Sequence, residues 1–199
     1  MNNAIFVTAS IACGKSSFIK IAKELGFDTI SADEISHNML KLYTNEIVQM
    51  FENYNILKNK EIDRKLLGKI IFSINNAKTK LENFLHPKIK EEILNQAKIL
   101  DKLNKIFFIE LPLYFESDNY KNLGKSLVIY SNKDLCIKRL MIRDNLDEVE
   151  ALKRINSQID IEYKKAQADF VIENIGSYEE FLKNSKKFLK DLKDKNEIL

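Results

Sequence analysis

The chain has 199 residues, 45% hydrophobic and 31% charged, with a formal net charge of +3. That length suits one domain with a sizeable core and leaves too little for a comfortable second one. The balance places it among ordinary soluble globular proteins, provides no nucleic-acid footprint, and contains no apolar run near the ~20 residues of a membrane span.

Five short runs read as strands: Ala4–Thr8, Phe27–Ser31, Lys105–Leu111, Ser126–Ser131 and Asp169–Asn174. They are rich in β-branched or aromatic residues and lack polar alternation, the pattern of parallel strands covered by helices on both faces. Between the first two, Phe18, Ile19, Ala22 and Leu25 recur at helical spacing over Lys15–Leu25, and Gly26 follows as a C-terminal cap. Strand, loop, helix, glycine and strand make a βαβ unit, so an α/β fold with a doubly wound, parallel, roughly five-stranded sheet is expected. Residues 33–101 read as almost entirely helical, too long for a plain crossover. They predict an insertion at the carboxyl side of the sheet, with Pro87 opening a helix after His86 and Tyr43, Tyr54, Phe72 and Phe84 in its core. A second helical stretch, about 134–168, is rich in Lys and Arg and placed to fold over a site. The expected division is a single domain, 1–199, with its core in 1–32, 102–133 and 169–199.

Cys13 and Cys136 lie far apart in no metal-like spacing, so no disulfide framework is expected and a reducing compartment is the simpler reading. The start of the chain has no basic leader before its short apolar run, so no signal peptide is expected and the default location is the cytoplasm. The last helical stretch is lysine-dense, but interleaved Glu179, Glu180, Asp191 and Asp194 make it a solvated face.

The stretch Val7–Phe18, VTASIACGKSSF, carries the chemistry. Gly14-Lys15-Ser16 closes the pattern G-x-x-x-x-G-K-[ST], but the leading glycine is Ala9. A phosphate loop works through backbone N–H groups converging at a helix N-terminus, and Ala9, Ser10 and Ala12 supply those donors as glycine would. A Cβ at a left-handed position costs on the order of 1–2 kcal/mol, tolerable in a site with a fixed lysine and metal. The alternative is that GKS merely starts a helix with a serine cap. In the phosphate-loop reading Lys15 bridges β- and γ-phosphates and the Ser16 hydroxyl binds Mg²⁺. Cys13 inside the loop serves as small filler or as a regulatory thiol.

Further stretches resemble the dephospho-coenzyme A kinase family along nearly the whole chain. Its loop T-G-G-I-G-S-G-K-[ST] corresponds to Thr8–Ser16, and its D-A-D motif to Ser31-Ala32-Asp33. Ile62-Asp63-Arg64…Leu67, Leu81-Glu82…His86-Pro87…Ile89 and Glu110-Leu111-Pro112-Leu113-Tyr114-Phe115-Glu116 follow in order. The lid pattern appears as Arg143-Asp144, Glu150-Ala151, Arg154-Ile155 and Gln158, and the last strand as Ala168-Asp169…Val171-Ile172…Asn174-Ile175-Gly176-Ser177. The departures are three loop glycines and the first acid of D-A-D.

The resemblance implies a three-layer P-loop NTPase fold with a helical substrate-binding insertion and a helical lid. It also implies ATP-dependent phosphorylation of the ribose 3′-hydroxyl of dephospho-coenzyme A. Ser10, Ile11, Ala12, Cys13, Gly14, Lys15, Ser16 and Ser17 would hold ATP, with Asn174 and Gly176 bordering the adenine; a plain turn is the other reading of that pair. Asp33 would deprotonate the attacking hydroxyl, or else cap a helix. Arg143 would stabilise charge on the moving phosphoryl group, with Arg139 a second candidate, although lid arginines also make surface ion pairs. Glu110, at the end of the third strand, would hold Mg²⁺ with Ser16. Arg64, His86 and Pro112 would contact the acceptor. The implied partners are two small molecules, with no nucleic acid and no membrane, on a monomer or weak homo-oligomer. A nucleoside or nucleotide kinase of similar architecture, or a nucleotide binder that no longer catalyses, stays open as an alternative.

Overall fold

Five parallel strands form one sheet in the order β2-β5-β1-β6-β7, from β1 (Ala4–Thr8), β2 (Thr29–Ser31), β5 (Phe107–Glu110), β6 (Lys125–Tyr130) and β7 (Phe170–Glu173). Each falls within or next to a run read from the sequence. The structure is a computed structural model and describes residues 1–196; residues 197–199, the end of the last expected core segment, lie outside the described residues. The chain divides into two compact units, Met1–Ser31 with Ala97 onward, and Ala32–Gln96.

The first unit holds the sheet. Every residue of β1 is buried, as are Phe107–Ile109 and Ser126–Tyr130, so both pleat faces are covered and the missing polar alternation has its explanation. On one face Phe18 of α1 (Lys15–Glu24) meets Phe108 edge-on at 5.4 Å between ring centres, and Phe27 meets it at 5.3 Å. On the other, Phe6 packs against Tyr114 at 5.2 Å and Tyr120 at 6.0 Å. Gly26 (φ 79°) closes α1: the Phe27 N–H donates to the Ala22 carbonyl and the Gly26 N–H to Lys23, the paired bonds of a Schellman motif. The expected lid region contains α6 (Lys133–Asp144), α7 (Glu148–Asn156) and α8 (Ile161–Gln167). In α9 (Tyr178–Asn196) Phe181, Leu189 and Leu192 are buried while Lys183, Lys186, Lys187 and Lys190 are exposed, the solvated face expected.

The second unit has its own core, built on Ile47, Phe51, Ile56, Leu67, Ile70, Leu81 and Leu85. Its helices are α2 (Ala32–Leu42), α3 (Thr44–Met50), α4 (Arg64–Ser73) and the first part of α5 (Ala77–Asp101). Three expectations need correction. The segment is not all helix: β3 (Leu57–Lys58) and β4 (Glu61–Ile62) pair antiparallel across Asn59 (φ 53°) and Lys60 (φ 67°), both left-handed as a two-residue hairpin turn requires. Pro87 does not open a helix but sits inside α5. It removes one backbone donor, at a cost of about 3 kcal/mol, in a helix whose Leu81, Leu85, Ile93 and Ala97 are all buried. Tyr43 and Phe84 do pack, edge-on at 5.6 Å, but Tyr54 and Phe72 are exposed, the latter at 80%.

Burial alone raises the Tyr120 hydroxyl to about 12. Below about pH 10 the phenol is neutral in both folded and unfolded chains. As pH rises from about 10 to 12 the unfolded chain ionises first, so stability is lost over that window. Tyr120→Phe should remove this part of the alkaline destabilisation, on the order of 2 kcal/mol, read as a flatter denaturation midpoint against pH than wild type shows.

Candidate active site

The loop from β1 to α1 turns on two left-handed residues, Ala12 (φ 64°) and Gly14 (φ 106°). Of the three positions where alanine or serine replaces the expected glycine, only Ala12 pays for a Cβ in this region; Ala9 and Ser10 have negative φ and are packed. The Cys13 N–H donates to the Ser10 carbonyl at 3.2 Å, tightening the turn, and α1 then starts at Lys15 without a side-chain cap. The serine-cap reading of GKS is therefore not what the backbone does. A Cβ at Gly14 would run into the Asn174 amide, so this glycine is required both by its φ and by the space around it.

That amide is the loop's brace. The Asn174 Nδ2 donates to the Cys13 carbonyl at 2.9 Å. Arg139 in turn donates to the Asn174 backbone carbonyl at 3.1 Å, to its Oδ1 at 3.4 Å and to the Ser131 hydroxyl at 3.1 Å. Arg139 and Asn174 are thus brought together with the loop. Lys15 forms an ion pair with Glu110, both side chains only 14% exposed. Glu110 ends β5, in register with Val7 of β1 and Ser31 of β2. Ser16 is exposed in the first turn of α1 and Ser17 is half-buried. The half-buried Pro112 accepts the Thr8 hydroxyl on its carbonyl at 3.0 Å. The Ile11 N–H donates to the side-chain oxygen of Gln158 at 2.9 Å, bringing the lid region onto the loop.

Arg143 lies elsewhere. Its guanidinium, on a side chain 54% exposed, makes two bonds to Asp144 at 2.8 and 3.1 Å, and Asp144 also accepts Arg154 at 3.0 Å. The bond from Arg143 holds the Asp144 carboxyl below its ordinary range. Gly176 leaves room for the Glu180 carboxylate, which accepts the Ser177 N–H at 3.0 Å while the Glu180 N–H donates to the Ser177 hydroxyl at 3.2 Å. This capping box starts α9 and gives the Gly176-Ser177 pair a structural reason.

A family model for dephospho-CoA kinase matches residues 4–180. The dephospho-CoA kinase of Campylobacter jejuni (strain RM1221) is 52% identical over 196 residues, 96% of this chain and 98% of that protein. The chain belongs to the dephospho-CoA kinase family. The Helicobacter pylori (strain 26695) dephospho-CoA kinase is 38% identical over 194 residues, covering 96% of this chain and 98% of its own. A solved dephospho-CoA kinase from Campylobacter jejuni superimposes with a TM-score of 0.83 over 98% of this chain and 100% of that one.

The remaining family positions lie in the second unit. Asp33 is exposed in the first turn of α2, which begins directly after β2; it is the second helical residue and not the cap. Asp63 is the cap of α4, accepting the N–H groups of Lys65 at 3.0 Å and Leu66 at 3.1 Å, and these bonds lower its pKa. Arg64, the next residue, and His86 line one largely apolar cavity of about 240 Å³ with Leu40, Leu67, Leu81 and Leu85. Arg64 also borders a second, about 520 Å³, with His37, Asn38, Lys41 and Glu61.

Several contacts of this kinase were not read from the sequence. The bonds of Gln158 and Asn174 to the loop join residues more than a hundred positions apart, and no local pattern encodes such a pair. Lys164 of α8, with no exposed surface, pairs at 2.7 Å with Glu116 of the segment after β5. The clue was present but faint: Glu116 and Gln158 both fell within the family stretches without a role.

Replacing Ala12 by glycine should relieve about 1–2 kcal/mol of left-handed strain and cost about 0.4–1 kcal/mol in unfolded-chain entropy. Ala12→Gly should therefore raise the melting temperature by about 2 °C; a lower melting temperature would contradict the strain assigned to this position.

Proposed function

We propose that the chain transfers the γ-phosphoryl group of ATP to the ribose 3′-hydroxyl of dephospho-coenzyme A, giving coenzyme A and ADP. The observation that carries this reading is the ion pair of Lys15, first residue of α1, with Glu110 at the end of β5. A lysine and an acid meet beside a loop that leads straight into a helix N-terminus, and phosphoryl transfer draws on that combination.

In this reading Lys15 leaves Glu110 for the β- and γ-phosphate oxygens when ATP enters, and the Ile11 N–H exchanges Gln158 for phosphate. Residues Ser10 to Ser17 form the cradle. Arg139 and Asn174 hold its shape, and Asn174 and Gly176 border the base. Asp33 orients the acceptor hydroxyl and takes its proton, while Arg64, His86 and Pro112 contact the acceptor. Arg143 exchanges Asp144 for the charge on the moving group as the lid region closes. Positioning and charge neutralisation supply the rate, because little covalent chemistry is asked of the protein.

Mg²⁺ fits the donors present. Among the described residues no cluster of three or more His, Cys, Asp or Glu could hold a metal by itself. The exposed Ser16 hydroxyl and the Glu110 carboxylate are hard oxygen donors, and Mg²⁺ is commonly held by one or two such groups together with substrate phosphates. When bound there, the ion neutralises charge on the β- and γ-phosphates.

Coupled ADP release measured with and without dephospho-coenzyme A tests the assignment. Turnover should require the acceptor, and Lys15→Ala should lower it by about a hundredfold or more. ATP turnover indifferent to the acceptor would overturn the reading. So would thermal stabilisation by ATP without any product, the behaviour of a binder that does not catalyse.

A further inference from the structure

The two cysteines, 123 positions apart in sequence, meet inside the first unit. Their sulfurs lie 2.8 Å apart, Cys13 in the phosphate loop and Cys136 in the first turn of α6, and both residues are free and essentially without exposed surface. We propose that Cys13 and Cys136 form a reversible disulfide, driven by a hydroperoxide, that switches the phosphate loop off. The effect on turnover rests on the function proposed above; the bond itself does not.

Access comes from one side. A cavity of about 260 Å³ reaches Cys136 and is bordered by Ser10, Lys133, Gln158 and Asp160. A water-sized molecule occupies about 30 Å³ of liquid volume, so a hydroperoxide has room there. The two thiols are unequal. Hydrogen bonds with Cys13 and Ser131, and then the Arg139 guanidinium, lower Cys136 against its burial, whereas its hydrogen bond to Cys136 and its burial raise Cys13. Cys136 is therefore the thiolate that attacks. It takes one oxygen of hydrogen peroxide, becoming a sulfenic acid as hydroxide leaves. The Cys13 sulfur then displaces the hydroxyl from that sulfenic sulfur, and the thiol proton leaves with it as water. Two thiols lose two electrons, and the peroxide is reduced to two waters.

The loop yields more readily than the helix. Cys136 is fixed by its N–H bond to the Asn132 carbonyl at 3.1 Å, in a helix that Asn132 caps through the Leu135 N–H at 2.9 Å. Cys13 sits between the left-handed Ala12 and Gly14, held by one turn hydrogen bond, the Asn174 amide and a long bond from its thiol to the Ser131 carbonyl at 3.9 Å. A disulfide requires the sulfurs to close to about 2.05 Å with a dihedral near ±90°. Cys13 supplies most of that movement, turning the peptide groups of Ala12 and Gly14 away from the phosphates and shifting Lys15 two residues on.

Reduced full-length enzyme treated with hydrogen peroxide, alkylated and digested without reductant should yield a peptide pair linked through Cys13 and Cys136. Turnover should fall in parallel, by about tenfold to a hundredfold, and return with dithiothreitol. Cys136→Ser, or Cys136→Ala if the serine variant fails to fold, should turn over normally when reduced, give no linked pair and keep its activity at the same peroxide dose. Three outcomes overturn the proposal: inactivated enzyme whose cysteines carry oxygen separately or remain alkylated, a linked pair with unchanged turnover, or a Cys136 variant as peroxide-sensitive as wild type. Reduced wild type that never turns over ATP with dephospho-coenzyme A would defeat the proposed function instead, and the linked pair would still be readable by mass.

Discussion

The hydrogen bond from the Asn174 side chain to the Cys13 carbonyl is the constraint on which the site's geometry rests. The loop between β1 and α1 turns with left-handed residues on either side of Cys13. Such a backbone persists only where its surroundings over-determine it. Here the surroundings are an amide reaching back from the end of β7, itself held by Arg139 at its backbone and at its Oδ1. The last strand of the sheet thereby sets the shape of the first loop, and the absence of a side chain at Gly14 is what lets it approach.

Loss of the familiar loop glycines costs less than their number suggests. Glycine matters at a position only where φ is positive or where another group comes too close. Ala9 and Ser10 meet neither condition and contribute buried packing instead. Ala12 meets the first, leaving one strained residue where the pattern alone counted three substitutions.

What could be read in the chain follows from the range of the interactions. The three central strands, β1, β5 and β6, were legible because burial on both faces leaves their runs largely apolar, and the edge strands β2 and β7 by their β-branched and aromatic residues. The end of α1 was legible because Gly26 is local to the helix it closes. The β3–β4 hairpin was not, since Asn59-Lys60 adopts the left-handed pair without the glycine that signals it. Pro87 misled for a related reason: a local rule for helix starts gave way to apolar residues buried on both sides of it. In the site, Lys15, Ser16 and Glu110 were visible at strand ends and in a motif. Gln158 on Ile11, Asn174 on Cys13 and the meeting of the two sulfurs were not, because each joins segments that only the folded topology makes neighbours. Asp144, a bare letter in the lid pattern, proves to hold two arginines at once.

The pairing of Lys15 with Glu110 makes ligand entry an exchange of ions rather than the filling of a bare positive hole. A lone anion that draws the lysine away leaves a carboxylate stranded in a largely dry place, and mutual repulsion between that carboxylate and the newcomer works against residence. A nucleotide arriving with its divalent counter-ion brings compensation for both halves of the broken pair. On the proposed assignment of these two side chains, the enzyme would discriminate against free phosphate, and against polyphosphate stripped of metal, by charge balance alone, before any contact with a base or sugar is made.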